Sequence, residues 1–191
     1  MKKNDQYHHG HLREELLRLG LESIETAGTE GISLRSLADK AGVSKAAPYR
    51  HFSDKEAYLG ALADEGFRLL CIDLERADVA GTERIASMGA AYMEFAVARP
   101  SLYRLMNSPL LCRLPDGSTP WARKSLLMLA EALRKVRSDP GTEPSLDVDA
   151  AVAAWAYIHG LVLIRIDGLF PRDLPAPDWA RLAAAAPSLG A

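Results

Sequence analysis

The sequence predicts an all-α protein, with an N-terminal three-helix unit and a larger C-terminal helical bundle, about nine helices in all. Three observations predict it. Apolar residues recur at three- and four-residue spacing nearly throughout, and no stretch shows the strict apolar–polar alternation of a half-buried strand. Glycine, proline and small polar residues stand between the periodic segments, where helices start and stop. With 191 residues, 48% hydrophobic and 25% charged, the composition is that of an ordinary soluble globular chain, ample for a sizeable core.

Leu12, Leu16, Leu19, Ile24 and Ala27 mark a first amphipathic helix that stops at Gly28. Ser33 is a good N-cap for a short second helix, with Leu34, Leu37, Ala38 and Ala41 on one face and Gly42 at its end. Ser44 can cap a third short helix running to about His51. Ser53-Asp54-Lys55-Glu56 has the form of a capping box, with Ser at the cap and Glu three later. It opens a long helix through Leu59, Leu62, Leu69 and Leu70 to about Arg76, and residues 78–82 make a joint. Ile85, Met88, Tyr92 and Phe95 share a face of a fifth helix, stopped by Pro100. A short helix over 101–106 ends near Pro109, and 113–118 is a loop. Thr119-Pro120, a cap and a first-turn proline, opens a helix over 121–137. A loop over 138–145 leads to a strongly apolar helix over 147–168, and 177–186 is the last. The expected domains are 1–56 and 57–191.

The net charge of −2 does not by itself announce a nucleic-acid binder. Residues 1–60 carry nine Lys and Arg against nine Asp and Glu, so attraction to phosphate must come from where charges sit. Cys71 and Cys112 lack the spacing of a metal or redox pair and are expected as free thiols of a cytosolic protein. The first eleven residues are polar and basic, with no apolar segment for export. The longest apolar stretch, 150–164, contains His159 and is short of a membrane span. A cytoplasmic location without membrane contact is expected.

Two short helices joined by a glycine-containing turn and packed on a longer helix form a helix-turn-helix. The second short helix must enter the major groove, so its outward residues must be small or polar. Ser44, Lys45, Ala46 and Ala47 form its leading turn. The two alanines permit close approach to base edges, and Lys45 can reach a guanine or a phosphate. Tyr49, Arg50 and His51 come one turn later, and Phe52 is expected to anchor the helix inward. Lys55, at the start of the fourth helix, suits a phosphate. Each has a plainer reading too: Tyr49 as a packing aromatic, His51 as a surface cap, Arg35 and Lys55 as solvated charges. Lys2, Lys3, His8, His9 and His11 form an arm that either touches DNA or stays idle.

Over about fifty residues this pattern resembles the DNA-binding domain of the TetR family. The matching residues are Ile32-Ser-Leu-Arg-Ser-Leu-Ala38, Ala41-Gly-Val-Ser44, Tyr49-Arg-His-Phe52 and Lys55-Glu-Ala57. The resemblance implies a homodimer that binds a palindromic operator in double-stranded DNA, usually a repressor relieved by a small ligand. It implies that Lys45, Ala46, Ala47 and Arg50 face bases. It implies that Ser33, Arg35, Tyr49, His51 and Lys55 hold the backbone. Pro48 departs from the family's usual leucine and forfeits about one backbone bond, so a slightly distorted recognition helix is expected.

Trp155-Ala-Tyr-Ile-His159-Gly160, followed by Asp167-Gly-Leu-Phe170, resembles a TetR subclass named for its Trp-His-Gly motif. The resemblance implies that the last two long helices form a four-helix dimer interface. Val152, Trp155, Ala156, His159 and Leu163 share one face, too apolar for a solvated surface. A ligand pocket inside the body would draw on Met88, Tyr92, Phe95, Tyr103, Met106, Trp121, Met128, Trp155 and His159. Core packing is the competing use of every one of them. An apolar lining favours a small hydrophobic or aromatic effector. No phosphate loop, nucleophile elbow or metal-ligand spacing occurs, so no enzyme, cofactor or metal is expected. The alternative is a DNA-binding factor without a small-molecule effector, architectural or controlled by a protein partner.

Overall fold

The computed structural model describes residues 11–79, 81, 83–137 and 147–185. The arm residues Lys2, Lys3, His8 and His9, the loop over 138–145 and the end of the last helix at Ala186 lie outside them, as does Thr82. Eight α-helices and two 3₁₀ turns, with no strand, make up the described residues. The chain groups into two compact units: residues up to Gly66 with Ser101–Thr119, and Phe67–Pro100 with the chain from Pro120 onward.

In the first unit, α1 (Leu12–Gly31) buries Leu12, Leu16, Leu19 and Ile24 of the stripe read from its spacing, together with Leu17, while Ala27 is exposed. Gly28 breaks it with φ +61°, a conformation that glycine adopts without a Cβ clash. Helix α2 (Leu34–Lys40) buries Leu34, Leu37 and Ala38. Ser33 holds the N-cap position in extended backbone, but its hydroxyl makes no cap bond. The other end is better built. Gly42 at φ +69° lets its amide reach the Asp39 carbonyl and that of Val43 reach Ala38, which satisfies two terminal carbonyls. Helix α3 (Lys55–Ala77) opens one residue later than the capping box places it. The Asp54 carboxylate accepts from the Ala57 amide at 2.8 Å, and Ser53 donates to Asp54 at 3.0 Å. An ionised carboxylate accepts more strongly than a hydroxyl, so aspartate takes the cap.

This unit runs on to Gly66 and takes in 101–119 as well. Both Glu25 carboxylate oxygens accept backbone amides, of Ser101 at 3.0 Å and Leu102 at 2.9 Å. They satisfy the free N–H groups at the start of α5 (Pro100–Met106). Gly66 leaves room for Met106 and Leu102, whose side chains would meet a Cβ there at 2.8 and 3.1 Å. Pro109–Arg113 is a 3₁₀ turn, and Arg113 pairs with Glu56 at 3.1 Å.

The second unit packs α4 (Arg84–Ala98), α6 (Pro120–Arg137), α7 (Val148–Ile166) and α8 (Trp179–Ala184) against one another. Ala130, Leu133, Ala150 and Ala151 form a buried cluster, flanked by Ile85, Leu126, Leu129 and Ala154. Small residues on α7 permit close helix approach. Asp147 caps α7 through the Ala150 amide, and Asp178 caps α8 through the Arg181 amide. Gly89 allows α4 to meet α8, since a Cβ there would lie 2.2 Å from the Ala183 carbonyl oxygen. Helix α7 spans 19 residues, longer than the 150–164 stretch, and by length and composition alone it could cross a membrane. Neither Cys71 nor Cys112 is in a disulfide; the first is buried and the second exposed.

Candidate nucleic-acid interface

Residues 44–51 do not form the α-helix expected of them. Ala47–Arg50 is a 3₁₀ turn, closed by bonds from Ala47 to Ser44 (2.9 Å), Tyr49 to Ala46 (3.2 Å) and His51 to Pro48 (3.0 Å). The cause is Pro48. It has no amide to give to the Ser44 carbonyl, which takes Ala47 instead. Ala47–Arg50 therefore winds at three residues per turn, and the Pro48 carbonyl also accepts the Phe52 amide at 3.0 Å where the chain leaves the turn. Pro48 is fully buried, and the turn packs against α1 and α2.

Around that anchor, Ser44, Lys45, Ala46, Tyr49, Arg50 and His51 are exposed and Ala47 is half-buried. Tyr49 keeps 47% of its surface in solvent, so it is not a packing aromatic. Phe52 does pack inward, edge-on to Tyr58 at 5.0 Å, with the Arg13 guanidinium 5.6 Å from its ring. Ser33 and Arg35 are exposed at the start of α2. The ammonium of Lys55 donates to the Glu30 carbonyl at 3.2 Å, which fixes a half-buried cation at the end of α1. No local pattern in the sequence links these two residues. The Asp54 carboxyl beside it is held below its usual range by the Ala57 amide, with help from the Ser53 hydroxyl. Arg35, Lys45 and Arg50 have no ion-pair partner among the described residues, so their charges are available to a ligand.

Residues 16–62 match the model for the bacterial regulatory proteins of the tetR family. Residues 85–186, more than half of the chain, match the tetracyclin-repressor-like C-terminal domain. The chain belongs to the TetR family. Its members are DNA-binding transcriptional regulators, not enzymes. The class C tetracycline repressor of Escherichia coli is 44% identical over 52 residues, which are 27% of this chain and 24% of that repressor. The match thus spans about a quarter of the repressor's length. An HTH-type transcriptional repressor of Mycobacterium tuberculosis is 26% identical over 96% of this chain and 94% of its own. A solved protein of Rhodococcus sp. RHA1 is 32% identical, with a TM-score of 0.76 over 96% of this chain and 95% of that one.

The pocket candidates of this TetR chain scatter. Tyr103 and Met106 fall in the first unit, in the buried part of α5, while the other seven fall in the second. Within the second unit, Met88 and Phe95 are buried in α4. Tyr92, Trp155 and His159 come together: the Trp155 indole N–H donates to the Tyr92 hydroxyl at 3.2 Å, and the Trp155 and His159 rings lie 5.8 Å apart. Burial holds the His159 imidazole below its ordinary pKa. Trp121 is half-buried under Lys124, whose ammonium lies 4.5 Å from the ring centre, and Met128 is half-buried on α6. A separate cleft of about 440 Å³ is lined by Asp73, Arg76, Glu94, Phe95 and Arg99 over an alanine floor.

Proposed function

We propose that this TetR-family chain is a cytoplasmic, sequence-specific transcriptional repressor that binds a palindromic operator as a homodimer. One observation carries the reading. Lys45, Ala46, Tyr49, Arg50 and His51 are exposed on either side of the buried Pro48, with Phe52 packed inward behind them. Small side chains let this segment enter the major groove, and its unpaired cations meet guanine edges and phosphates. Arg35 and Lys55 supply phosphate contacts at its margins. A fluorescence-anisotropy titration against duplexes selected from a random pool tests this. The expected result is binding to the selected palindrome at least about a thousandfold tighter than to random DNA. Equal affinity for both would remove sequence-specific regulation from consideration.

The dimer reading rests on α7. Val148, Val152 and Trp155 share one side of α7, a largely apolar helix, and stay substantially exposed. Such a face covers itself against a second copy or becomes an aggregation hazard. Release by a small effector is the further part of the proposal. Helix α3 contributes residues 55–66 to the first unit and 67–77 to the second. A ligand packed on its second half acts on the same helix that carries Lys55. The cleft lined by Asp73, Arg76 and Phe95 touches this half of α3, and the Tyr92–Trp155–His159 group is an aromatic patch of the same unit. The second reading, a DNA-binding factor without such an effector, is favoured by the burial of Met88, which fills a core position in α4. An effector that left operator affinity unchanged would decide for it.

A further inference from the structure

The proline inside the reading segment also bears on which bases are read, and this inference rests on the DNA-reading role just proposed. In a turn of three residues per turn, residues three apart stand in one column. Within the 3₁₀ turn Pro48 points inward and is fully buried. Two columns flank it: Ala46 with Tyr49, both exposed, and Ala47 with Arg50, the first half-buried and the second exposed. The bond from the Tyr49 amide to the Ala46 carbonyl has the i to i+3 span of that winding. At a rise of about 2.0 Å per residue, members of a column stand about 6 Å apart, close to two base-pair steps of about 3.4 Å. In an α-helix the same pairs would be offset by about 60° around the axis and stand about 4.5 Å apart.

We propose that Pro48 is a specificity-determining residue: by fixing this winding it aligns Ala47 and Arg50 on one strip of the major groove, which selects a half-site with a thymine and a guanine no more than two base-pair steps apart. The chemistry of each member sets the base. A methyl group such as that of Ala47 packs on the thymine methyl, and an unpaired guanidinium such as that of Arg50 takes the O6 and N7 of guanine. A leucine in place of Pro48 restores the amide, allows an α-turn and swings Arg50 off the strip.

Selection of bound duplexes from a random pool, run with the full chain and its variants, tests this. Wild type is expected to enrich half-sites with the thymine–guanine pair. Arg50→Ala should keep the thymine, lose the guanine and bind the wild-type site about ten- to a hundredfold more weakly. Pro48→Leu should enrich a half-site with a changed thymine–guanine spacing, its folding being checked by circular dichroism. Pro48→Ala, which restores the same amide with less bulk, replaces it if the leucine does not fit the buried position. The same half-site enriched by the Pro48 variant and by wild type would overturn the proposal, as would a guanine preference that survives Arg50→Ala. Failure of wild type to enrich any sequence would instead overturn the DNA-reading role beneath it.

Discussion

The Tyr58 hydroxyl donates to the main-chain carbonyl of Leu16 across 2.8 Å, a bond between α3 and α1 that no periodicity announces. It depends on Gly20, because a Cβ at that position would lie 1.9 Å from the Tyr58 hydroxyl oxygen. Tyr58 is fully buried, and desolvation raises its pKa and keeps the phenol protonated as a donor. The reading segment packs on α1, so this bond underlies its placement.

Tyr58→Phe is expected to cost about 1 kcal/mol in urea unfolding, the usual worth of such a bond. Gly20→Ala should cost more, roughly 1–3 kcal/mol, because overpacking forces the ring aside. The two changes should not add. Phenylalanine removes the atom that the new methyl strikes, so Gly20→Ala should cost less in the Tyr58→Phe background. Strict additivity in that double-mutant cycle would show that the close contact is not what glycine is there for.

Lys55 is tethered to the Glu30 carbonyl at 3.2 Å, so its ammonium is already held beside the reading segment before DNA arrives. Lys55→Ala should weaken binding to specific and random duplexes alike. The slope of log affinity against log salt should fall by about one. A loss confined to the specific duplex, with the slope unchanged, would make Lys55 a reader of bases and not of phosphate.

Much of this arrangement is legible in the sequence, and the failures have definite causes. Leu12, Leu16 and Ile24, and likewise Leu34, Leu37 and Ala38, show their buried faces through spacing alone. Gly28 kinks α1 near its end and Gly42 terminates α2, both at positive φ. Pro48 shows that something must yield, yet the choice between a bent α-turn and a 3₁₀ turn depends on packing against α1 and α2. The cap at α3 passes from Ser53 to Asp54 because two neighbouring acceptors compete, and spacing does not rank them. Tyr103 and Met106 look like pocket aromatics and thioethers by composition. The Glu25 carboxylate, more than seventy residues away along the chain, gathers their helix into the first unit. Such pairings carry no local signature.

His159 gives the second unit a pH dependence whose sign is fixed by its environment. Burial lowers its folded-state pKa below the ordinary value of 6.5. Between the folded and unfolded values the unfolded chain binds more protons, so stability rises with pH there. The contribution is complete above about 6.5 and is lost as pH falls through the folded value. Thermal melts from pH 7.5 down to 5 should show a falling midpoint, and His159→Gln should flatten that fall. An unaltered pH profile in the variant would move the acid sensitivity to another group.

Val152 stands on the exposed face of α7 with 42% of its surface in solvent, while its neighbour Ala151 is fully buried against the cluster shared with α6. This contrast lets one substitution test assembly without disturbing the core. Val152→Glu puts a carboxylate in the middle of the apolar face beside Trp155, and burying it against its own symmetry mate would bring two like charges together. Sedimentation equilibrium should show wild type as a dimer and the variant as a folded monomer with unchanged circular dichroism. Operator affinity should fall steeply, because a monomer engages one half-site and loses the effective concentration of the second head. A variant that stays dimeric and holds the operator as tightly as wild type would place the subunit contact elsewhere than on this face of α7.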